Sequence, residues 1–162
     1  MKYLLVVFFI LPFSLRAQDC SGLKNSKDPY TREVKISTGF ISLNSGQYSI
    51  EATKAQIDIM FSIQGKCFDD ASTISVFYAA TRLKTNFKNS GTMNCDGLIH
   101  ITFKNTNPSQ SSLLNLGEKK ISSIRFKDNT NKETGITLTD DQQQTMMNLI
   151  NCMINESKKL LN

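Results

Sequence analysis

The stretch from Gln56 to Phe68, QIDIMFSIQGKCF, constrains the fold more tightly than any other part of the chain. Ile57, Ile59, Phe61 and Ile63 take every second position, with Asp58, Ser62 and Gln64 among the residues between and after them. That spacing is the two-residue period of a strand with one buried face. Cys67 lies four residues beyond Ile63, so a strand running on through Gly65 keeps it on the apolar face as a disulfide anchor. The solvent side, with Asp58, Ser62 and Gln64, carries no pattern that names a site.

The first residues say in which compartment this strand is expected to fold. Lys2 precedes an apolar run from Tyr3 to Phe13, followed by Ser14, Leu15, Arg16 and Ala17. This is the layout of a secretory signal peptide over residues 1–17, with cleavage expected after Ala17. The run is too short to span a bilayer, which takes about 20 apolar residues. Arg16 and Asp19 fit poorly with a lipoprotein anchor on Cys20. Loss of residues 1–17 removes Lys2 and Arg16 but no acid, lowering the net charge from +5 to +3. The remaining bases form no stripe, since the densest clusters are Lys119-Lys120 and Lys158-Lys159, and nucleic acid is not an expected partner. One domain is expected from the length.

Cys20, Cys67, Cys95 and Cys152 all follow the expected cleavage point. An even number in an exported chain argues for two disulfides, with three pairings open. No two cysteines have zinc-ribbon spacing and the sole histidine is His100, so neither a metal nor a cofactor is expected.

Residues 18–32 are polar, contain Pro29, and read as a surface arm; residues 33–162 read as the domain. Val34 and Ile36 share one side of a short strand, and Asn44-Ser45-Gly46 marks a hairpin turn between Phe40–Leu43 and Gln47–Ala52. After the Asp69–Ser72 turn, Ile74, Val76 and Tyr78 alternate, then Leu83, Thr85 and Phe87, which predicts a second hairpin. Ile99, Ile101 and Phe103 form the core face of a further strand that begins at Cys95. Its start mirrors the end of the opening strand, Cys95-Asp96-Gly97-Leu98-Ile99 against Ile63-Gln64-Gly65-Lys66-Cys67. The mirror places both cysteines at one end of a sheet on its buried side, with the glycines permitting a bend or a close approach. It pairs Cys67 with Cys95 and leaves Cys20 for Cys152.

Ser109 to Leu116 is expected to make one helical turn that Gly117 ends. Ile124 and Phe126, then Gly135–Leu138, predict the last hairpin. Thr139-Asp140-Asp141-Gln142 is a helix start with a capping box and two acids at the positive end of the dipole. Met146, Leu149, Ile150, Met153 and Ile154 then line one side of a C-terminal helix, with Cys152 on its flank. The fold class is therefore α+β, a mostly antiparallel sheet of about six to eight strands packed on one C-terminal helix.

No catalytic residue is singled out. His100 stands between Ile99 and Ile101, facing away from the core, with no nucleophile or acid at a recognised catalytic spacing. Asp69-Asp70 and Asp140-Asp141 each have a local structural role in a turn or a helix start. The DNTNKETG turn from Asp128 fails the calcium-loop pattern, because Lys132 takes a ligand position and Gly135 comes too late. Met146, Met147 and Met153 fall at core spacing. Asn155-Glu156-Ser157 matches a glycosylation sequon, which matters only in a eukaryotic secretory pathway.

The chain resembles a group of small secreted proteins frequent in Bacteroidota. The matching residues are Ala17-Gln18-Asp19-Cys20, Asp28-Pro29-Tyr30-Thr31, Val34-Lys35-Ile36-Ser37-Thr38, Lys119 to Phe126, and Asn151-Cys152. A lone early and a lone late cysteine recur in that group, which adds support to Cys20 with Cys152. The resemblance implies an exported α+β domain and brings no activity with it; Cys67 and Cys95 depart from its pattern.

These readings lead to a secreted or periplasmic, disulfide-stabilised binding module whose partner is an unknown protein or envelope component. The alternatives are an envelope-associated enzyme built around His100 with Asp58 or Asp96, and a structural envelope protein. Mass spectrometry of the exported protein is expected to find Gln18 at its N-terminus. Non-reducing peptide mapping is expected to join Cys67 to Cys95, and a Cys20–Cys67 peptide would overturn that pairing.

Overall fold

The computed structural model describes residues 20–161, so the expected signal peptide and the first two residues of the arm lie outside the described residues. The strands are β1 (Lys24–Lys27), β2 (Val34–Ser37), β3 (Ile41–Leu43), β4 (Gly46–Ala52), β5 (Gln56–Ser62), β6 (Thr73–Tyr78), β7 (Lys84–Lys88), β8 (Leu98–Lys104), β9 (Ile121–Lys127) and β10 (Glu133–Thr137). The helices are α1 (Ser111–Glu118) and α2 (Asp140–Ser157), with a final 3-10 turn at Lys158–Leu161. The class is α+β, with antiparallel pairing throughout and a C-terminal helix. The strands divide into two sheets where the sequence suggested one: β1-β2-β4-β5-β8 with β3 on β4, and β10-β9-β6-β7. The β3–β4, β6–β7 and β9–β10 hairpins are legible locally, the β1–β2 hairpin is not because residues 18–32 read as a polar arm, and nothing local says that β6 pairs with β9 and not with β5.

β5 carries the core of the first sheet. Its Ile57, Ile59 and Phe61 stand opposite Ala52, Ile50 and Tyr48 of β4, and opposite Phe103, Ile101 and Ile99 of β8. All nine are buried, as a period-two pattern requires when neighbouring strands stay in register. The second sheet turns Ile74, Val76, Ile124, Phe126 and Ile136 into the same core. Aromatic edges join the layers: Phe61 meets Phe126 with ring centres 5.2 Å apart, and Phe87 meets Phe103 at 5.7 Å. Such edge-to-face pairs are favourable beyond the area they bury.

α2 closes the core with Met146, Ile150, Met153 and Ile154, packing on β2, β4 and β9 and so touching both sheets. Its start is the expected capping box, in which Thr139 and Gln142 exchange side-chain and backbone hydrogen bonds. Gly117 lies inside α1 and does not end it. A Cβ there would come within 3.1 Å of Ile154 Cδ1 and 3.3 Å of the Asn151 nitrogen, so the missing side chain is what lets α1 rest on α2.

The arm contributes the edge strand β1, whose four residues are all exposed and pair with β2, while Leu23 before it packs against the core. Cys20 bonds to the buried Cys152, and Gly22 lies against Leu149, so the arm is fastened across α2. Cys67 bonds to Cys95. The mirrored strand ends do meet: Ile63 donates its N–H to the Gly97 carbonyl at 2.8 Å. Gly97 is left-handed (φ +76°), and a Cβ on it would lie 2.0 Å from the Ile63 oxygen. Gly65 is also left-handed (φ +69°), but in open space. These bends end the strands before the cysteines, so Cys67 is half-buried and Cys95 exposed, not on the buried side of the sheet.

Urea unfolding should separate the two glycines. Gly65→Ala is expected to cost about 1 kcal/mol for the left-handed backbone alone, and Gly97→Ala about 2–4 kcal/mol because a backbone collision is added. Replacing Cys67 and Cys95 together by Ser, which opens a loop with a sequence separation of 28, is expected to cost about 3.5 kcal/mol in the chain-entropy account.

Candidate binding cleft

A cavity of about 460 Å³ opens where the two sheets meet at one end. It is framed by the β3–β4 turn, by the chain leaving β5 from Ser62 to Lys66, and by Thr134 of β10. Local chemistry fixes each wall. At Gly46 (φ +149°) a Cβ would lie 2.8 Å from the Ser62 oxygen, so glycine lets the turn close onto β5. Asn44 anchors the turn, donating from Nδ2 to the Thr137 carbonyl at 3.1 Å and accepting at Oδ1 from Gln142 Nε2.

Lys66 is held on the opposite wall by Asp128, with Nζ 3.3 Å from Oδ2. Asp128 Oδ1 accepts from the Thr130 hydroxyl, the Thr130 N–H and the Lys132 N–H at 2.7–2.9 Å. The Thr130 hydroxyl contributes most to holding the Asp128 carboxyl down at about 2, with partial burial opposing and the two N–H groups and Lys66 assisting. The turn that fails as a calcium loop is thus a carboxylate-centred turn that positions a lysine.

Ser45, Gln47, Ser62, Gln64 and Thr134 line the cleft, and none of their side chains hydrogen-bonds to any described residue. They are three hydroxyls and two carboxamides, supplying donors and acceptors without charge. Ser62 and Gln64 belong to the side of β5 and its extension that offered no pattern in the sequence. Their role depends on β10, which arrives from the other sheet.

His100 lies elsewhere, on the outer face of β8. Its Nδ1 is 2.8 Å from Asp58 Oδ2, and the Thr102 hydroxyl donates to Asp58 Oδ1 at 2.9 Å. Asp58 stands directly opposite Glu51 of β4, which pairs with Lys35. Like charges facing across strands repel, and here each acid has its own basic partner, Lys35 for Glu51 and the His100 imidazole for Asp58. The Asp58 hydrogen bond raises His100 above its usual value against the opposing effect of burial, with the charges of Asp58 and Glu51 adding.

Of the sequence candidates, Asp58 and His100 come together, and Asp96 is exposed without a hydrogen bond to either. Asp69 accepts from Ala71 and Ser72 within its turn. Asp140 and Asp141 occupy the first turn of α2. Met146 and Met153 are core. No group of three or more metal-ligating side chains occurs among the described residues, and no described helix is long and apolar enough to cross a membrane. No protein-family model, curated protein or solved structure matches the chain.

Two pH limbs follow. The His100 contribution is complete below the unfolded value of 6.5 and is lost as pH rises through the higher folded value. The Asp128 contribution is present above 3.8 and is lost as pH falls through about 2. Urea midpoints should fall for the wild type between about pH 6 and 8 and stay level for Asp58→Asn, while Asp128→Asn should flatten only the acid limb.

Proposed function

We propose that this chain is an exported, disulfide-stabilised binding module whose ligand sits in the cleft between the strand ends. The carrying observation is that five neutral hydrogen-bonding side chains converge on one cavity of about 460 Å³ and make no bond within the described protein. A cavity of that size lies within the range of small-molecule sites, roughly 300–1,000 Å³. Its walls are braced by Asn44, by the Lys66–Asp128 pair and by the Cys67–Cys95 bridge. Such preorganisation lowers the entropic cost of binding. Export is supported by the leader-like residues 1–17, by two disulfides, and by the resemblance to small secreted proteins of Bacteroidota.

The Asp58–His100 contact favours an acid–base enzyme as the second reading, because a carboxylate on Nδ1 leaves Nε2 to move a proton. Neither residue lines the cleft, so the two readings separate cleanly. Soaking crystals in acetamide, glycerol and isopropanol in turn is expected to cluster all three probes in the cleft. Clustering at another surface, or hydrolytic turnover lost in His100→Ala, would reject the binding reading.

A further inference from the structure

We infer that the cleft takes an uncharged, hydroxyl-rich ligand, a short neutral oligosaccharide in chemical type. This rests on the cleft being the binding site and goes on to name what it recognises.

Charge is the first argument. The cation on the wall, Lys66, is already matched by Asp128, and the five available side chains are neutral. A phosphate, sulfate or carboxylate entering the cleft would lose water without gaining an unpaired cation, which is unfavourable. A cationic ligand would meet Lys66 itself.

Geometry is the second argument. A carboxamide presents a donor and an acceptor side by side. Two neighbouring sugar hydroxyls, each able to donate and accept, meet both at once, and Gln47 and Gln64 each offer such a pair. Ser45, Ser62 and Thr134 add hydroxyls that reorient to suit a further partner.

A peptide fits less well. Extended peptides are read by an exposed strand edge together with pockets for alternate side chains. The cleft is bounded by strand ends and a turn, with Ile63 the one apolar residue among those lining it. No aromatic ring lines it for stacking either. Neutral hydrogen bonds exchanged with water give little net affinity, so binding on the order of 1 mM is expected.

The experiment is a 1H–15N NMR titration of the oxidised chain, following the side-chain amides of Gln47 and Gln64. The probes are neutral trisaccharides representing α-glucan, β-glucan, xylan, mannan and chitin, with triglycine amide and inorganic phosphate alongside. At least one trisaccharide is expected to shift both amides saturably, with an affinity unchanged by added salt. Gln47→Ala with Gln64→Ala, followed through the backbone amides of Ser45, Ser62 and Thr134, should weaken it at least tenfold while resonances outside the cleft keep their positions. Saturable shifts from phosphate or triglycine amide alone would overturn the oligosaccharide class and leave the cleft as a binding site. If no probe shifts the cleft, or sugars shift only resonances elsewhere, both inferences fall.

Discussion

The structure depends on one close backbone approach, that of Gly97 onto Ile63. The hydrogen bond from Ile63 N–H to the Gly97 carbonyl is possible because nothing occupies the Cβ position, where an atom would lie 2.0 Å from the Ile63 oxygen. From that contact the two chains leave their strands together. Phe68 and Asn94 then bridge, Cys67 bonds to Cys95, and Asn129 donates its N–H to the Cys67 carbonyl. The turn of Asp128, which precedes β10, is thereby fastened to the end of β5, although it belongs to the other sheet.

The cleft is a consequence of this fastening. Lys66 reaches Asp128 because the chain past Ile63 is bent at Gly65, and Thr134 follows on the strand that the Asp128 turn begins. The core gives the seam its rigidity, with Phe61 and Phe126 meeting edge to face across the sheets and α2 touching both. A site built on packed strand ends holds its groups more firmly than one carried on a free loop.

The free edge of β8 is managed by side chains in place of a further strand. Asn94, Asn89 and Ser90 accept from the N–H groups of Leu98, His100 and Thr102 in turn. An exposed edge offers unpaired backbone groups to other chains, and here the Asn89–Asn94 segment occupies them. The same segment brings Gly91 against the His100 ring, where a Cβ would lie 3.0 Å from Cδ2. The His100–Asp58 pair is therefore partly covered and electrostatically coupled, while lying apart from the cleft.

The sequence by itself determined most of the elements, though not β1, whose residues read as part of a polar arm, nor the full number of ten strands. Period-two alternation gave β5 and β8 their buried faces, Asn44-Ser45-Gly46 gave a hairpin, and Thr139 with Gln142 gave the start of α2. The mirrored glycines pointed to the Cys67–Cys95 end of the first sheet, since each signal lies within a few residues. Tertiary structure decided what spacing cannot carry: the division into two sheets, the place of Gly117 inside α1, and the exposure of the second disulfide. It also decided the cleft. Ser45, Gln47, Ser62, Gln64 and Thr134 are ordinary surface residues in the sequence, and they become a set because strands from different sheets end side by side.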